Sequence, residues 1–269
     1  MINIEEELIE KKYIRNILWD KYLFVRPAMT IRIEETLDDG TEVFGWKSEP
    51  PETPFAENYA HYLTDKKIFS EEECKEWNDY LLEQEIILKK KFSPGLRGDG
   101  RTGVGPDAIT SRYQYFNLLK WDFHLVERLK TEILEGMKTI LSVSGNSDWK
   151  EPLYAKSWFN VLRGGEGMQL HSHSHHSRTL YGFHVSINTK ETATSYFHPS
   201  VLQVGPNGID FLDAFHNQNR IGYLTLFPNN ICHGVSPNQH EIPRISIAGD
   251  VTPFLGEDSL EKAIKIGIL

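Results

Sequence analysis

Apolar residues along this chain follow two periods. Up to about residue 141 the longest patterns repeat at helical spacing, and from Tyr154 onward the period becomes two. Ile4, Leu8, Ile9, Tyr13, Ile14, Ile17 and Leu18 stand among charged residues and predict an amphipathic helix over 2–18. Ser70 with Glu73 is a capping-box signature, opening a helix that runs to about residue 90. Phe123, Leu125, Val126, Leu129, Ile133, Leu134, Met137, Ile140 and Leu141 give a third helix, over 121–141, a broad apolar face to lay against the outside of a sheet.

Residues 29–46 read as a β-hairpin with Asp39-Gly40 at its turn. Pro50-Pro-Glu-Thr-Pro54 then interrupts regular structure, because proline lacks the amide donor. It divides an expected N-terminal appendage, 1–55, from a main body, 56–269. Short strands are predicted at 154–163, 179–188, 200–204, 221–227 and 243–251, between Gly, Pro and Asn turns. Helices first and short antiparallel strands afterwards predict a mainly β fold with N-terminal helices, a barrel or double-sheet jelly roll. Residues 93–111 hold five glycines and read as a mobile loop, of a length that often serves as a lid. No Gly-x-x-x-x-Gly-Lys-Ser/Thr run occurs there, which excludes a phosphate loop.

A net charge of −9 disfavours nucleic acid as a partner, since phosphate binding rests on Lys and Arg. Only two cysteines, Cys74 and Cys232, are present, too few for a disulfide framework and fitting a reducing compartment. The first residues, Met-Ile-Asn-Ile-Glu-Glu-Glu, lack the basic start and apolar core of a signal peptide, and no apolar run approaches the roughly 20 residues of a membrane span. A cytoplasmic protein with no membrane partner is expected.

The chemistry concentrates in Gln169-Leu-His-Ser-His-Ser-His-His-Ser-Arg-Thr-Leu-Tyr-Gly-Phe-His184, which holds five of the eleven histidines. His171, His173 and His175 recur at every second position. On an extended strand such residues share a face, so either adjacent pair can converge on one ion. Imidazole is a ligand for Fe, Zn, Cu and Ni, although a His-rich tract alone is only a compositional hint. Downstream, His233 follows a strand ending at Phe227-Pro228, and Arg244-x-Ser246 opens another strand eleven residues later. An Arg in an otherwise apolar strand needs an anionic partner, against the bland alternative of a surface salt bridge.

A His-x-His pair, a distant third His and a trailing Arg-x-Ser resemble the iron(II)/2-oxoglutarate-dependent dioxygenases of the prolyl-hydroxylase-like kind. Ile68-Phe-Ser-Glu-Glu-Glu-Cys74 is similar to the helix that precedes their first strands. The resemblance covers about 70–255 and is strongest over 158–250. It implies a double-stranded β-helix (jelly-roll or cupin-like) barrel holding Fe(II) at one open end, with 2-oxoglutarate as cosubstrate. The implied reaction converts 2-oxoglutarate to succinate and CO2 while hydroxylating a substrate C–H bond. His233 is the implied distal ligand, and Arg244 the implied anchor of the far carboxylate of 2-oxoglutarate. A guanidinium suits that task because its fork meets a carboxylate bidentately. Ser246 shares Arg244's face, and Asn160 sits on the strand leading to the His pair; both are candidates to bind the cosubstrate.

The family's usual triad has His-x-Asp/Glu where this chain has His-x-His. Trp158-Phe-Asn160 ahead of His171 resembles a His-x-His subgroup of the family, which implies His171 and His173 as the pair; counting back from Leu180-Tyr-Gly182 favours His173 and His175. His171, His173 and His233 are chosen, with His175 as the alternative to His171. A carboxylate such as Asp210 or Asp213 is considered for completing the sphere, with Glu166 second to these. Tyr154, Trp158 and Tyr181 line a pocket or fill the core, and His184 is read as structural. Two other readings stand beside the oxygenase: a cupin-like three-His metalloenzyme that does not use 2-oxoglutarate, and a non-catalytic metal-binding β-barrel. The substrate, a small molecule or a peptide, is expected to be chosen by loops 93–111 and 189–220.

Overall fold

The computed structural model describes residues 30–50, 58–95, 98–173, 180–199, 202–205, 208–211, 213–253 and 263–268. The helix expected over 2–18 lies outside them. The hairpin read from 29–46 corresponds to β1 (Thr30–Thr36) and β2 (Glu42–Ser48), closed by a turn in which Gly40 takes a φ of 78°. β2 pairs with β3 (Ala60–Lys67), so hydrogen bonding runs continuously past the division expected near residue 55.

Helix α1 (Glu71–Lys91) opens with the capping box: Ser70 accepts from the Glu73 amide, and Glu73 accepts from the Ser70 amide. Its three N-terminal glutamates and three C-terminal lysines also complement the helix dipole. Helix α2 (Val126–Val143) begins five residues later than the periodicity predicts. Asn117 caps a short 3-10 turn, Leu118–Lys120, and leaves Trp121 extended, so the apolar residues before Val126 pack from a loop.

The strands form two antiparallel sheets. The larger is ordered β1-β2-β3-β11-β6-β13-β4-β14 and the smaller β10-β7-β12-β5. Here β4 is Pro152–Leu162, β5 Met168–His171, β6 Tyr181–Asn188, β7 Ala193–Phe197, β10 Ala214–Gln218, β11 Tyr223–Pro228, β12 Cys232–Val235, β13 Arg244–Thr252 and β14 Ile264–Ile268. From β4 to β7, and again from β11 to β13, the chain alternates between sheets, which is the winding of a double-stranded β-helix. β8 (Leu202–Gly205) and β9 (Gly208–Phe211) form a separate hairpin between β7 and β10. No pairing among the described residues joins the two sheets edge to edge, so the form seen is two facing sheets, not a closed barrel.

Alternation on three central strands positions everything that follows. Leu153, Ala155, Phe159 and Val161 of β4, Phe183, Val185 and Ile187 of β6, and Ile245, Ile247 and Val251 of β13 join Trp77, Leu81, Leu129, Ile133 and Met137 of the helices in one core. Their neighbours in sequence therefore face the smaller sheet. A second cluster lies between the sheets, with Phe44, Trp46, Leu63 and Phe227 from the larger and Tyr196 and Phe215 from the smaller. The strands not predicted from periodicity (β3, β5, β7, β9, β10, β12 and β14) are mostly four or five residues long, too short for a period to register. No helix among the described residues is long and apolar enough to cross a membrane.

Candidate active site

Between the two sheets, at the end where β5 and β12 stop, lies a pocket with about 890 Å³ of empty space, part of it open to solvent. The inward-facing residues of β13 run down one wall in order: Asp250, Ala248, Ser246, Arg244. Across the ladder, Ser246 pairs with Asn160 and Ala248 with Trp158 on β4, and Ala248 pairs with His184 on β6. Loop 98–113 supplies Asp99, Gly100, Thr102, Thr110 and Tyr113 to the remaining wall.

Three imidazoles meet at the mouth. His171 and His233 are directly opposed in the β5–β12 pairing, and His173 follows two residues beyond. Their ligating nitrogens all lie within 4.8 Å of one another. Each ring has its Nδ1 engaged. His171 Nδ1 is 2.8 Å from the Gln169 carbonyl, His233 Nδ1 3.1 Å from the Ile231 carbonyl, and His173 Nδ1 2.5 Å from Asp250 Oδ1. Those partners are acceptors, so the Nδ1 proton stays in place and Nε2 keeps its lone pair, which is how outer partners prepare a histidine for a metal. Burial, with help from the neighbouring rings, lowers the His171 pKa to about 4 and drives that of His233 well below the usual imidazole range. Both are therefore neutral at physiological pH, the form that ligates. Gly182 makes room for this arrangement: a Cβ there would meet Phe227 at 2.6 Å and His173 Nδ1 at 3.1 Å.

Arg244 occupies the floor and is 2% exposed. Its Nη1 makes one long contact, 3.4 Å, to Ser246 Oγ; among the described residues its Nε has no partner and no carboxylate pairs with it. Burial lowers its pKa to about 10, which leaves it charged at neutral pH. Asn160 Nδ2 also reaches Ser246 Oγ at 3.4 Å, while Asn160 Oδ1 accepts from Thr110 Oγ1 at 2.8 Å. A buried cation without an anion is costly, so this end of the pocket fits a carboxylate ligand. The donor set at the mouth and the cation at the floor together fit a metal-chelating dicarboxylate.

Residues 156–250 match the sequence profile of the family described as "Putative 2OG-Fe(II) oxygenase". Over this segment the chain is similar to that family. The matched segment holds all three imidazoles together with Asn160, Arg244, Ser246 and Asp250. No curated protein matches the chain. Solved structures similar to the chain include a prolyl-4-hydroxylase of Pseudomonas putida (10% identity, 72% of this chain and 94% of that one, TM-score 0.48). Another is the non-heme monooxygenase ThoJ in complex with Ni (18%, 75% and 78%, TM-score 0.45). A third is the alpha-ketoglutarate-dependent epimerase SnoN from nogalamycin biosynthesis (13%, 74% and 86%, TM-score 0.46).

Of the residues singled out from the sequence, His171, His173, His233, Asn160, Arg244 and Ser246 all line this pocket. His175 lies outside the described residues, as does the side chain of Asp210. Asp213 is elsewhere: it pairs with Arg32 and accepts from Trp46 Nε1 at 2.7 Å. Glu166 is committed to a turn, accepting from the Arg163 amide at 2.6 Å. Trp158 lines the pocket, whereas Tyr181 packs on the helix-side core and donates to the Tyr62 carbonyl at 3.3 Å. Asp250, Thr110 and His184 were not read as site residues. For Asp250 a signal existed, because alternation from Arg244 through Ser246 and Ala248 puts it on the same face. For Thr110 there was none, since its approach depends on how the glycine-rich loop folds back.

Proposed function

We propose that this protein is an Fe(II)- and 2-oxoglutarate-dependent oxygenase of the hydroxylase type. His171, His173 and His233 would hold the metal, and Arg244, Ser246 and Asn160 would receive the far carboxylate of the cosubstrate. The observation that carries this reading is Arg244, a charged and buried guanidinium with no anion among the described residues, in a pocket where three imidazoles converge. A three-His metalloprotein that does without 2-oxoglutarate has no use for such a cation.

When bound, Fe(II) supplies O2-dependent oxidation in which R–H, 2-oxoglutarate and O2 become R–OH, succinate and CO2. The chain's own residues do the positioning. Asp250 holds His173 in the tautomer that ligates. A metal held by these three histidines alone would keep positions free for the cosubstrate and O2. Thr110 donates to Asn160 Oδ1, which fixes the amide with its NH2 toward Ser246. The wall of Trp158, Phe183 and Phe227 lowers the local dielectric and strengthens the pairing of Arg244 with a carboxylate.

The test is 2-oxoglutarate titration of the anaerobic Fe(II) protein. Arg244→Ala is expected to keep iron and weaken 2-oxoglutarate by about 2–5 kcal/mol, the range for truncating one partner of a buried charge pair. Arg244→Lys should recover only part of this, because a point charge cannot reproduce the fork. Equal affinity in wild type and Arg244→Ala, or no binding by the wild type, would remove the reading.

A further inference from the structure

His184 has no role in the site so far, yet its surroundings are those of a ligand contact. The side chain is buried, it lines the pocket, and its Nδ1 has no hydrogen-bond partner among the described residues. Its other nitrogen, Nε2, is 2.5 Å from the hydroxyl of Tyr196, which is itself completely buried. A half-satisfied buried imidazole is costly unless something occupies the pocket beside it. His184 stands across the ladder from Ala248, one step nearer the mouth than the Ser246–Asn160 row. It is close enough to Arg244 for that cation to help depress its pKa, which burial takes to about 3, so the ring is neutral.

The Tyr196 contact decides what Nδ1 offers. Thr225 also reaches the Tyr196 hydroxyl but sends its own proton to Asp65 Oδ1 at 2.7 Å. The phenol proton thus has two acceptors, the Thr225 oxygen and His184 Nε2. An imidazole lone pair is the stronger acceptor, and a phenol is a stronger donor than imidazole N–H. The short contact is therefore O–H to Nε2, and the ring proton sits on Nδ1, the nitrogen left unpartnered on a ring that lines the pocket. A donor there complements Arg244, whose fork leaves carboxylate lone pairs unfilled.

We propose that His184 is a second anchor of the cosubstrate: its Nδ1–H donates to the same carboxylate that Arg244 pairs with, and Tyr196 is the positioning residue that holds the ring in this tautomer. This rests on the 2-oxoglutarate reading of the pocket. It makes His184 part of what selects a dicarboxylate over a 2-oxo acid with an uncharged tail.

The experiment compares two probes on the anaerobic Fe(II) protein by calorimetry, 2-oxoglutarate and 2-oxopentanoate, which has the same carbon chain without the far carboxylate. An asparagine amide nitrogen lies near the position of Nδ1, and a glutamine amide nitrogen near that of Nε2. His184→Gln should weaken 2-oxoglutarate about 10- to 100-fold, the range for a hydrogen bond to a charged group, and 2-oxopentanoate less than about 3-fold. His184→Asn should stay within about 5-fold of wild type for both. Tyr196→Phe, which frees the tautomer, should fall between them. Losses that are equal for both probes, or Asn behaving worse than Gln, would assign His184 a purely structural role and overturn the proposal. Failure of the wild type to bind 2-oxoglutarate would instead overturn the proposed function. The folded wild type offers a second measurement: 15N spectra of the ring with 2-oxoglutarate bound should place the proton on Nδ1, and a bare Nδ1 refutes the proposal without any variant.

Discussion

Asp250 Oδ1 lies 2.5 Å from His173 Nδ1, joining residues 77 apart in sequence. Asp250 is on β13 and pairs in the ladder with Gly182, whose missing side chain is what lets the His173 ring approach. The carboxylate does not stand in for the Asp or Glu ligand usual in such triads. It sits behind a histidine, where in the proposed metal site it would return through the imidazole some of the negative charge that a three-His set lacks.

That relationship predicts the effect of removing it. Asp250→Ala should leave the fold intact, since the side chain is partly exposed, and weaken Fe(II) by about 10- to 100-fold. Asp250→Asn retains an acceptor oxygen and should lose less. Anaerobic metal titration with a competing chelator reads both. Wild-type affinity in Asp250→Ala would mean that the contact does not support the metal.

The choice of ligands is tested residue by residue. His233→Ala and His173→Ala should each abolish stoichiometric Fe(II) binding, because two imidazoles alone make a weak site. His171→Ala should do the same, while His175→Ala should retain one iron per chain. Loss of metal in His175→Ala together with full occupancy in His171→Ala would transfer the ligand role to His175. Elemental analysis of the four purified variants is enough to decide.

Acid should destabilise the metal-free protein through its buried histidines. His184 is lowered to about 3 and His233 well below the usual range, both chiefly by burial. Unfolding returns each to about 6.5, so below that pH the unfolded chain binds more protons than the native one. The stability these groups contribute is present in full above about pH 6.5 and is lost as pH falls toward the folded values, at up to about 1.4 kcal/mol per unit for each group. From pH 7 to pH 5 this amounts to about 2–4 kcal/mol, read as a lower urea midpoint. His184→Asn should show a shallower pH dependence. An unchanged slope in that variant would mean that His184 carries a proton in the native state.

The sequence alone determined which chemistry was present and which face of a strand bore it. The i, i+2 spacing of His171 and His173, the isolation of Arg244 and the alternation of β4 and β13 are local properties. A strand must put alternate residues on opposite faces wherever it ends up. The capping box at Ser70 and the hairpin turn at Asp39-Gly40 were legible for the same reason. Only the tertiary structure decided which faces meet. His233 faces His171 because β12 pairs with β5 across more than sixty residues, and Asp250 reaches His173 because β13 lies beside β6 in the other sheet. Both depend on chain crossovers whose pairing no local period encodes. Thr110 and His184 entered the site in the same way, one by the folding back of a glycine-rich loop and the other by its position opposite Tyr196. Distance in space likewise took Asp213 out of the pocket, where it proved to serve Arg32 and Trp46, and brought Asp250, which was not among the candidates, to His173.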